Sequence, residues 1–135
     1  MKKKLLIIGG AGFIGHNVAL KLRNDYEVFI IDSLAVNNFV SLVDNKDNLP
    51  YPKLSKAVLE DRIKLFDKNN LNITIQDARD YHGLSEKINE IKPNIIIHLA
   101  AIVGYPACSK DPKLANDINF LGTKKLLELR TGSQA

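Results

Sequence analysis

Within residues 4–32, KLLIIGGAGFIGHNVALKLRNDYEVFIID, three glycines, Gly9, Gly12 and Gly15, separate a short apolar run, residues 5–8, from a stretch with helical spacing. This constrains the fold more than anything else in the chain, because it reads as strand, tight turn and helix in immediate succession. The first glycine permits the turn, the second lets a ligand approach the backbone, and the third lets the helix pack close to the strand. A helix N-terminus presents unpaired N–H groups and the positive end of its dipole, so a pyrophosphate is stabilised there. A second apolar run, residues 28–31, ends in Asp32. A carboxylate at that point accepts both hydroxyls of an adenine ribose and repels a 2′-phosphate, and no basic residue stands immediately beside it in the sequence. Three spaced glycines alone are a common prelude to a helix. Flanked by two strands and followed by an acid about 20 residues on, they read as a dinucleotide site.

The 135 residues, 45% hydrophobic and 25% charged, suit one globular domain with a single core. The formal charge is +4, but apart from Lys2, Lys3 and Lys4 and the pair Lys124 and Lys125 the lysines are scattered. No basic stripe interleaves with aromatics, so the charge reads as solvated surface and no nucleic-acid partner is expected. The single cysteine, Cys108, excludes an internal disulfide and fits a reducing, cytoplasmic setting. The apolar run after the first lysines is too short for a signal segment or a bilayer span, so no membrane partner is expected. The histidines His16, His82 and His98 show no ligand spacing with Asp, Glu or Cys, so no metal is expected.

Along residues 12–23, Ile14, Val18 and Leu22 recur every four positions and place one helical face against a sheet. Residues 33–54 are polar and longer than a plain strand-to-helix link needs, which is the length of a loop over a ligand or of an exposed insertion. Residues 55–67 read as a helix with Val58, Leu59, Ile63 and Phe66 on one face, and residues 71–75 as a half-buried strand. A short helix opened by Gly83 and Ser85 is closed by Pro93. Residues 94–101 contain Ile95, Ile96 and Ile97, an apolar run of the kind buried on both faces in a parallel sheet. Asp111 caps, and Pro112 opens, a helix running to about Arg130 through Leu114, Ile118, Leu121, Leu126 and Leu129. Alternating strands and helices predict an α/β, Rossmann-type parallel sheet with helices on both faces. Its ligand crevice lies at the carboxyl ends of the strands, where Gly9, Asp32, Asp77 and Leu99 converge.

Together, Gly9-Gly10-Ala11-Gly12-Phe13-Ile14-Gly15, the strand-end Asp32, Asp77-x-Arg79-Asp80, His98-Leu99-Ala100-Ala101 and Asn119-Phe120-Leu121-Gly122-Thr123 resemble the extended short-chain dehydrogenase/reductases. Within them the chain is similar to the NAD-dependent epimerase/dehydratase branch that acts on nucleotide sugars, over residues 3–129. The resemblance implies that Gly9, Gly12, Phe13, Ile14 and Gly15 surround the NAD pyrophosphate and that Asp32 and Ser33 meet the adenosine ribose. It further implies that Asp77 and Ala78 bond the adenine, and that Leu99, Ala100 and Ala101 line the nicotinamide-side ribose. Asn119 would sit near the nicotinamide end or brace the Ala100 backbone.

Two departures from that family stand out. Ile8 occupies the position before the first glycine where the family usually has Thr. More consequentially, catalysis in the family uses a Tyr-x-x-x-Lys pair, and the residues four places after Tyr26, Tyr51, Tyr81 and Tyr105 are Ile30, Ser55, Ser85 and Ser109. The resemblance therefore implies the cofactor-binding half of a nucleotide-sugar enzyme, residues 1–130, with residues 131–135 as a tail and the substrate domain absent. As such it has no catalytic residues of its own, and the competing reading is a non-catalytic NAD-binding sensor or scaffold. The family's dimers form through two long helices, of which the chain carries one, so a homodimer is expected. His98 and Cys108 read as structural, whereas Tyr105 suits substrate contact and loop packing equally.

Overall fold

The computed structural model describes residues 1–35 and 51–129. Most of the loop expected over residues 33–54, and the tail at 131–135, lie outside the described residues. The elements run β1 (Lys3–Ile8), α1 (Phe13–Leu22), β2 (Tyr26–Asp32), α2 (Pro52–Lys68), β3 (Ile73–Ile75), α3 (Tyr81–Ile91), β4 (Ile95–His98), α4 (Tyr105–Lys110) and α5 (Pro112–Asn116). A π-helical stretch, Asp117–Gly122, then leads into α6 (Thr123–Leu129).

The four strands form one parallel sheet in the order β3-β2-β1-β4. β1 lies in the middle, and its residues 5–8 are all buried, as a strand covered on both faces requires. Period-two alternation divides it between two cores. Leu5 and Ile7 pack with Ala19 of α1 and Phe66 of α2 on one face, whereas Leu6 and Ile8 pack with Leu84 and Ile88 of α3 and Leu126 of α6 on the other. Each such fully buried aliphatic or phenyl side chain contributes roughly 1.5–3 kcal/mol. The expected architecture, helices on both faces of a parallel sheet, is what these two cores build.

Register is fixed at one end of the sheet by Asn94, whose N–H donates to Lys4 O at 2.9 Å while its Oδ1 accepts from Lys4 N at 2.8 Å. At the other end, Gly9 N donates to Ile31 O at 2.8 Å, and Leu99 N donates to Ile8 O at 2.7 Å. The ends of β1, β2 and β4 are thus stitched into one rim. Helix ends follow their signals: the Asp80 carboxylate accepts from Gly83 N at 3.1 Å, and the Asp111 carboxylate accepts from Leu114 N at 2.9 Å. Lys92, with φ +51, ends α3 in the left-handed conformation just before Pro93.

Several expectations need correction. Ile14 is 63% exposed, and the buried stripe of α1 is Gly15 and Ala19 instead. On α2, Val58 is exposed, and the buried stripe is Leu59, Arg62 and Phe66, an i, i+3, i+7 face with a cation in it. Residues 105–110, read as a loop, form α4, entered through Gly104 at φ +90 and Pro106 in the first turn. The helix expected from Asp111 to about Arg130 is interrupted by its π-helical stretch, and Leu121 lies at the surface. Among the described residues no helix is long and apolar enough to cross a membrane, and no cluster of His, Cys, Asp or Glu could hold a metal ion.

Candidate functional site

A cleft of about 350 Å³ opens at the carboxyl ends of the strands. Gly9, Gly12 and Phe13 line it from the first turn, Asp32 and Ser33 from the end of β2, and Asp77 and Ala78 from the segment after β3. Leu99, Ala100 and Ala101 line it from the end of β4. Four segments far apart in sequence therefore meet because the parallel sheet delivers all its strand ends to one rim. Ile14, Gly15 and Asn119 do not line it.

The turn after β1 is glycine-dependent for steric reasons. Gly9 has φ +81, and a Cβ there would lie 2.5 Å from Ala100 N. Gly12 differs: a Cβ would meet only Gly9 O, at 3.4 Å, so the side toward the cleft is open. Gly12 has no side chain to cap α1, which leaves the amide groups of its first turn for an anion. A Cβ on Gly15 would lie 2.5 Å from Gly10 Cα. The third glycine thus seats α1 on the Gly9–Gly10 turn, not on the strand as the spacing predicts.

Asp32 is held by the same turn. Its Oδ2 accepts from Ala11 N at 2.9 Å, and its Oδ1 accepts from Leu34 N at 2.8 Å. Each oxygen keeps a further lone pair for a ligand hydroxyl. The fold also brings a base to this acid. The Arg62 guanidinium, 8% exposed on α2, donates from Nη1 to Ala11 O at 2.8 Å and lines the cleft beside Asp32. Burial pulls the Arg62 pKa down, and the Asp32 charge pushes it back up. Sequence reasoning missed Arg62, although its place three residues after Leu59 and four before Phe66 marks it as part of the buried face.

Asp77 stands at the cleft edge with both carboxylate oxygens on Arg79, whose Nε and Nη2 approach at 3.0 and 2.6 Å. The Arg79 guanidinium holds the Asp77 carboxyl below the usual carboxylate range. Asn119 braces a strand-end segment, but at Ile102 instead of Ala100: its Oδ1 accepts from Ile102 N at 2.9 Å and its Nδ2 donates to Ile102 O at 2.8 Å. Ile102 and Val103 line the cleft with Ile118, extending its apolar end beyond the expected residues.

His98, at the end of β4, has both ring nitrogens buried without a hydrogen-bond partner among the described residues, and burial holds its pKa down. Cys108 Sγ lies 3.5 Å from Ile102 O, and Tyr105 is 84% exposed.

An open glycine turn at a helix N-terminus, a strand-end acid, and small residues along the opposite wall suit an extended ligand with an anionic middle and a diol at one end. The comparisons with known proteins agree. The profile described as GDP-mannose 4,6 dehydratase matches residues 6–134. The putative UDP-glucose 4-epimerase of Methanocaldococcus jannaschii is 32% identical over 130 residues, covering 93% of this chain and 33% of that protein. The solved UDP-glucose 4-epimerase of Thermus thermophilus, a complex with NAD, is 27% identical with a TM-score of 0.66 and covers 93% of this chain and 33% of that one. A solved UDP-N-acetylglucosamine 4-epimerase from Methanobrevibacter ruminantium, in complex with UDP-N-acetylmuramic acid, is 28% identical with a TM-score of 0.63, covering 96% and 34%. The chain spans about a third of the length of the curated relatives it matches. With the profile matched over nearly all of its residues, this chain belongs to the GDP-mannose 4,6 dehydratase family and corresponds to the Rossmann-type part of nucleotide-sugar epimerases and dehydratases.

Proposed function

We propose that this chain binds NAD(H) as the cofactor domain, residues 1–130, of a nucleotide-sugar epimerase or dehydratase. The observation that carries the reading is the joint placement of the open Gly9–Gly12 turn and Asp32 in one cleft at the strand ends. When bound, NAD supplies the hydride acceptor for oxidation of a sugar carbon. The first-turn amides of Phe13, Ile14 and Gly15 hold the pyrophosphate, and Asp32 with Ser33 accepts and orients the adenosine ribose. Asp77 accepts from the adenine amino group while the Ala78 backbone donates to the ring. Leu99, Ala100 and Ala101 form an apolar wall, small at the two alanines, that lets the nicotinamide-side ribose lie against the end of β4. Asn119 acts behind that wall by fixing Ile102.

The nucleotide sugar is the substrate of the whole enzyme. The family's Tyr-x-x-x-Lys pair does not occur within these 135 residues, so the isolated chain binds cofactor without turnover. Exposed Phe120 and Leu127 on the helical segment from Pro112 to Leu129 supply an apolar face for a homodimer in a reducing, cytoplasmic setting.

Calorimetric titration of the 135-residue chain with NAD tests the cofactor site: saturable binding is expected, and its absence overturns the proposal. An assay for 4-keto-sugar formation from UDP-glucose then addresses turnover. No product is expected, and product formation would show that catalysis needs no Tyr-x-x-x-Lys.

A further inference from the structure

The cleft holds one charged group that an NAD site of this design does not call for. Arg62 arrives from α2, 51 positions in sequence from Ala11, the residue whose carbonyl it grips at 2.8 Å. Asp32 takes the N–H of the same residue at 2.9 Å. Acid and base therefore clamp Ala11 of the glycine turn through the two peptide units on either side of its Cα, at the end of the cleft where the adenosine ribose belongs. The side chain is only 8% exposed, yet its Nε has no hydrogen-bond partner among the described residues. A buried guanidinium N–H is costly to leave unmatched, so the fold holds this cation in the cleft wall at a cost in stability.

Discrimination against NADP is commonly ascribed to a lone strand-end carboxylate, which repels the 2′-phosphate. Here that carboxylate has a counter-charge. We infer that Arg62 is a specificity-determining residue of the adenosine end: its guanidinium offsets Asp32, so that a 2′-phosphorylated adenine dinucleotide is rejected far less strongly than Asp32 alone would dictate. Two unit charges of opposite sign at comparable distances from a phosphate largely cancel in its potential. The inference rests on the proposed NAD site and concerns the ratio of two affinities instead of either one. A residue that only supported the fold would weaken both dinucleotides together and leave that ratio unchanged.

The test is calorimetric titration of the whole chain and of Arg62→Met, Arg62→Lys and Asp32→Asn with NAD and NADP. Adenosine 2′,5′-bisphosphate and 5′-AMP serve as probes confined to the adenosine end. The ratio of the NADP to the NAD dissociation constant should rise on the order of tenfold in Arg62→Met. It should stay within about threefold of wild type in Arg62→Lys, which keeps the charge, and fall in Asp32→Asn, where the guanidinium is unopposed. A ratio unchanged or lowered in Arg62→Met overturns the inference while leaving the NAD site standing. Should Arg62→Met fail to fold, the other two variants decide, and an Asp32→Asn ratio no lower than wild type overturns it. If neither dinucleotide binds wild type but the two small probes show the same pattern, the inference stands and the NAD reading falls. Wild type binding none of the four overturns both.

Discussion

The side-chain amide of Asn119 pairs with the backbone of Ile102 in both directions, accepting from its N–H at 2.9 Å and donating to its carbonyl at 2.8 Å. The pair ties the π-helical stretch to the segment that leaves β4 and so holds the apolar end of the cleft. The Ile102 carbonyl also faces the Cys108 thiol at 3.5 Å, and Thr123 Oγ1 donates to Asn119 O at 2.8 Å. Replacing Asn119 by Ala strands the Ile102 N–H and leaves its carbonyl only the weak Cys108 thiol donor, and should cost roughly 1–3 kcal/mol in urea denaturation. Asn119→Asp keeps the acceptor for the Ile102 N–H but sets a carboxylate oxygen against the Ile102 carbonyl, so it should not restore wild-type stability. Equal stability of Asn119→Ala and wild type would show that water replaces the amide without loss.

Gly9 and Gly12 should separate folding from binding. A Cβ on Gly9 meets the Ala100 backbone at 2.5 Å and forces an L-residue to φ +81, so Gly9→Ala should lose roughly 2–4 kcal/mol of stability. Gly12→Ala meets only Gly9 O at 3.4 Å and should stay within about 1 kcal/mol of wild type. Its methyl group instead faces the open side of the turn, and NAD affinity should drop about tenfold or more. Thermal unfolding and NAD titration of both variants check this. Parallel losses in the two would contradict the steric distinction.

His98 makes stability depend on pH. Burial lowers its native pKa, so between the native and unfolded values the unfolded chain binds the extra proton. The contribution is complete above the unfolded histidine value of about 6.5 and is lost as pH falls below it. Its slope cannot exceed about 1.4 kcal/mol per pH unit for one proton. Urea denaturation from about one pH unit above the unfolded histidine value to about one below it should show this slope in wild type and a flatter one in His98→Phe, and equal slopes would mean that groups other than His98 set the pH dependence.

Asp77 follows the same proton bookkeeping, with the unfolded chain again binding the extra proton, but here the form favoured in the fold is the charged one. Arg79 holds its native pKa low, so its stabilisation is present above the ordinary carboxylate range and lost as pH falls through the native value. In Arg79→Ala the Asp77 carboxyl should titrate at higher pH, followed by its carboxyl carbon resonance. Stability at neutral pH should change by less than about 1 kcal/mol, because the pair is half exposed. An unmoved titration would mean that backbone donors, not the guanidinium, set the Asp77 pKa.

Much of this architecture is legible in the residue order because its determinants are local. Two apolar strands, the glycine turn between the first and its helix and the Asp111 cap follow from periodicities of two and 3.6 and from the conformational freedom of glycine, whereas the run at 95–97, expected to be buried on both faces, is half-buried because β4 lies at the edge of the sheet. The cleft lining of Gly9, Asp32, Asp77 and Leu99 follows in turn, because a parallel sheet gathers its strand ends whatever the loops do. The tertiary structure alone decided which residues meet across those ends. It turned Ile14 outward, moved the Asn119 brace from Ala100 to Ile102, and folded residues 105–110 into a helix whose six residues carry too short a pattern to read. It also set Arg62 against Ala11 and Asp32. A charge in a helix repeat reads locally as solvent-facing. Only the packing of α2 over the glycine turn shows that this cation is buried beside the acid that defines the site.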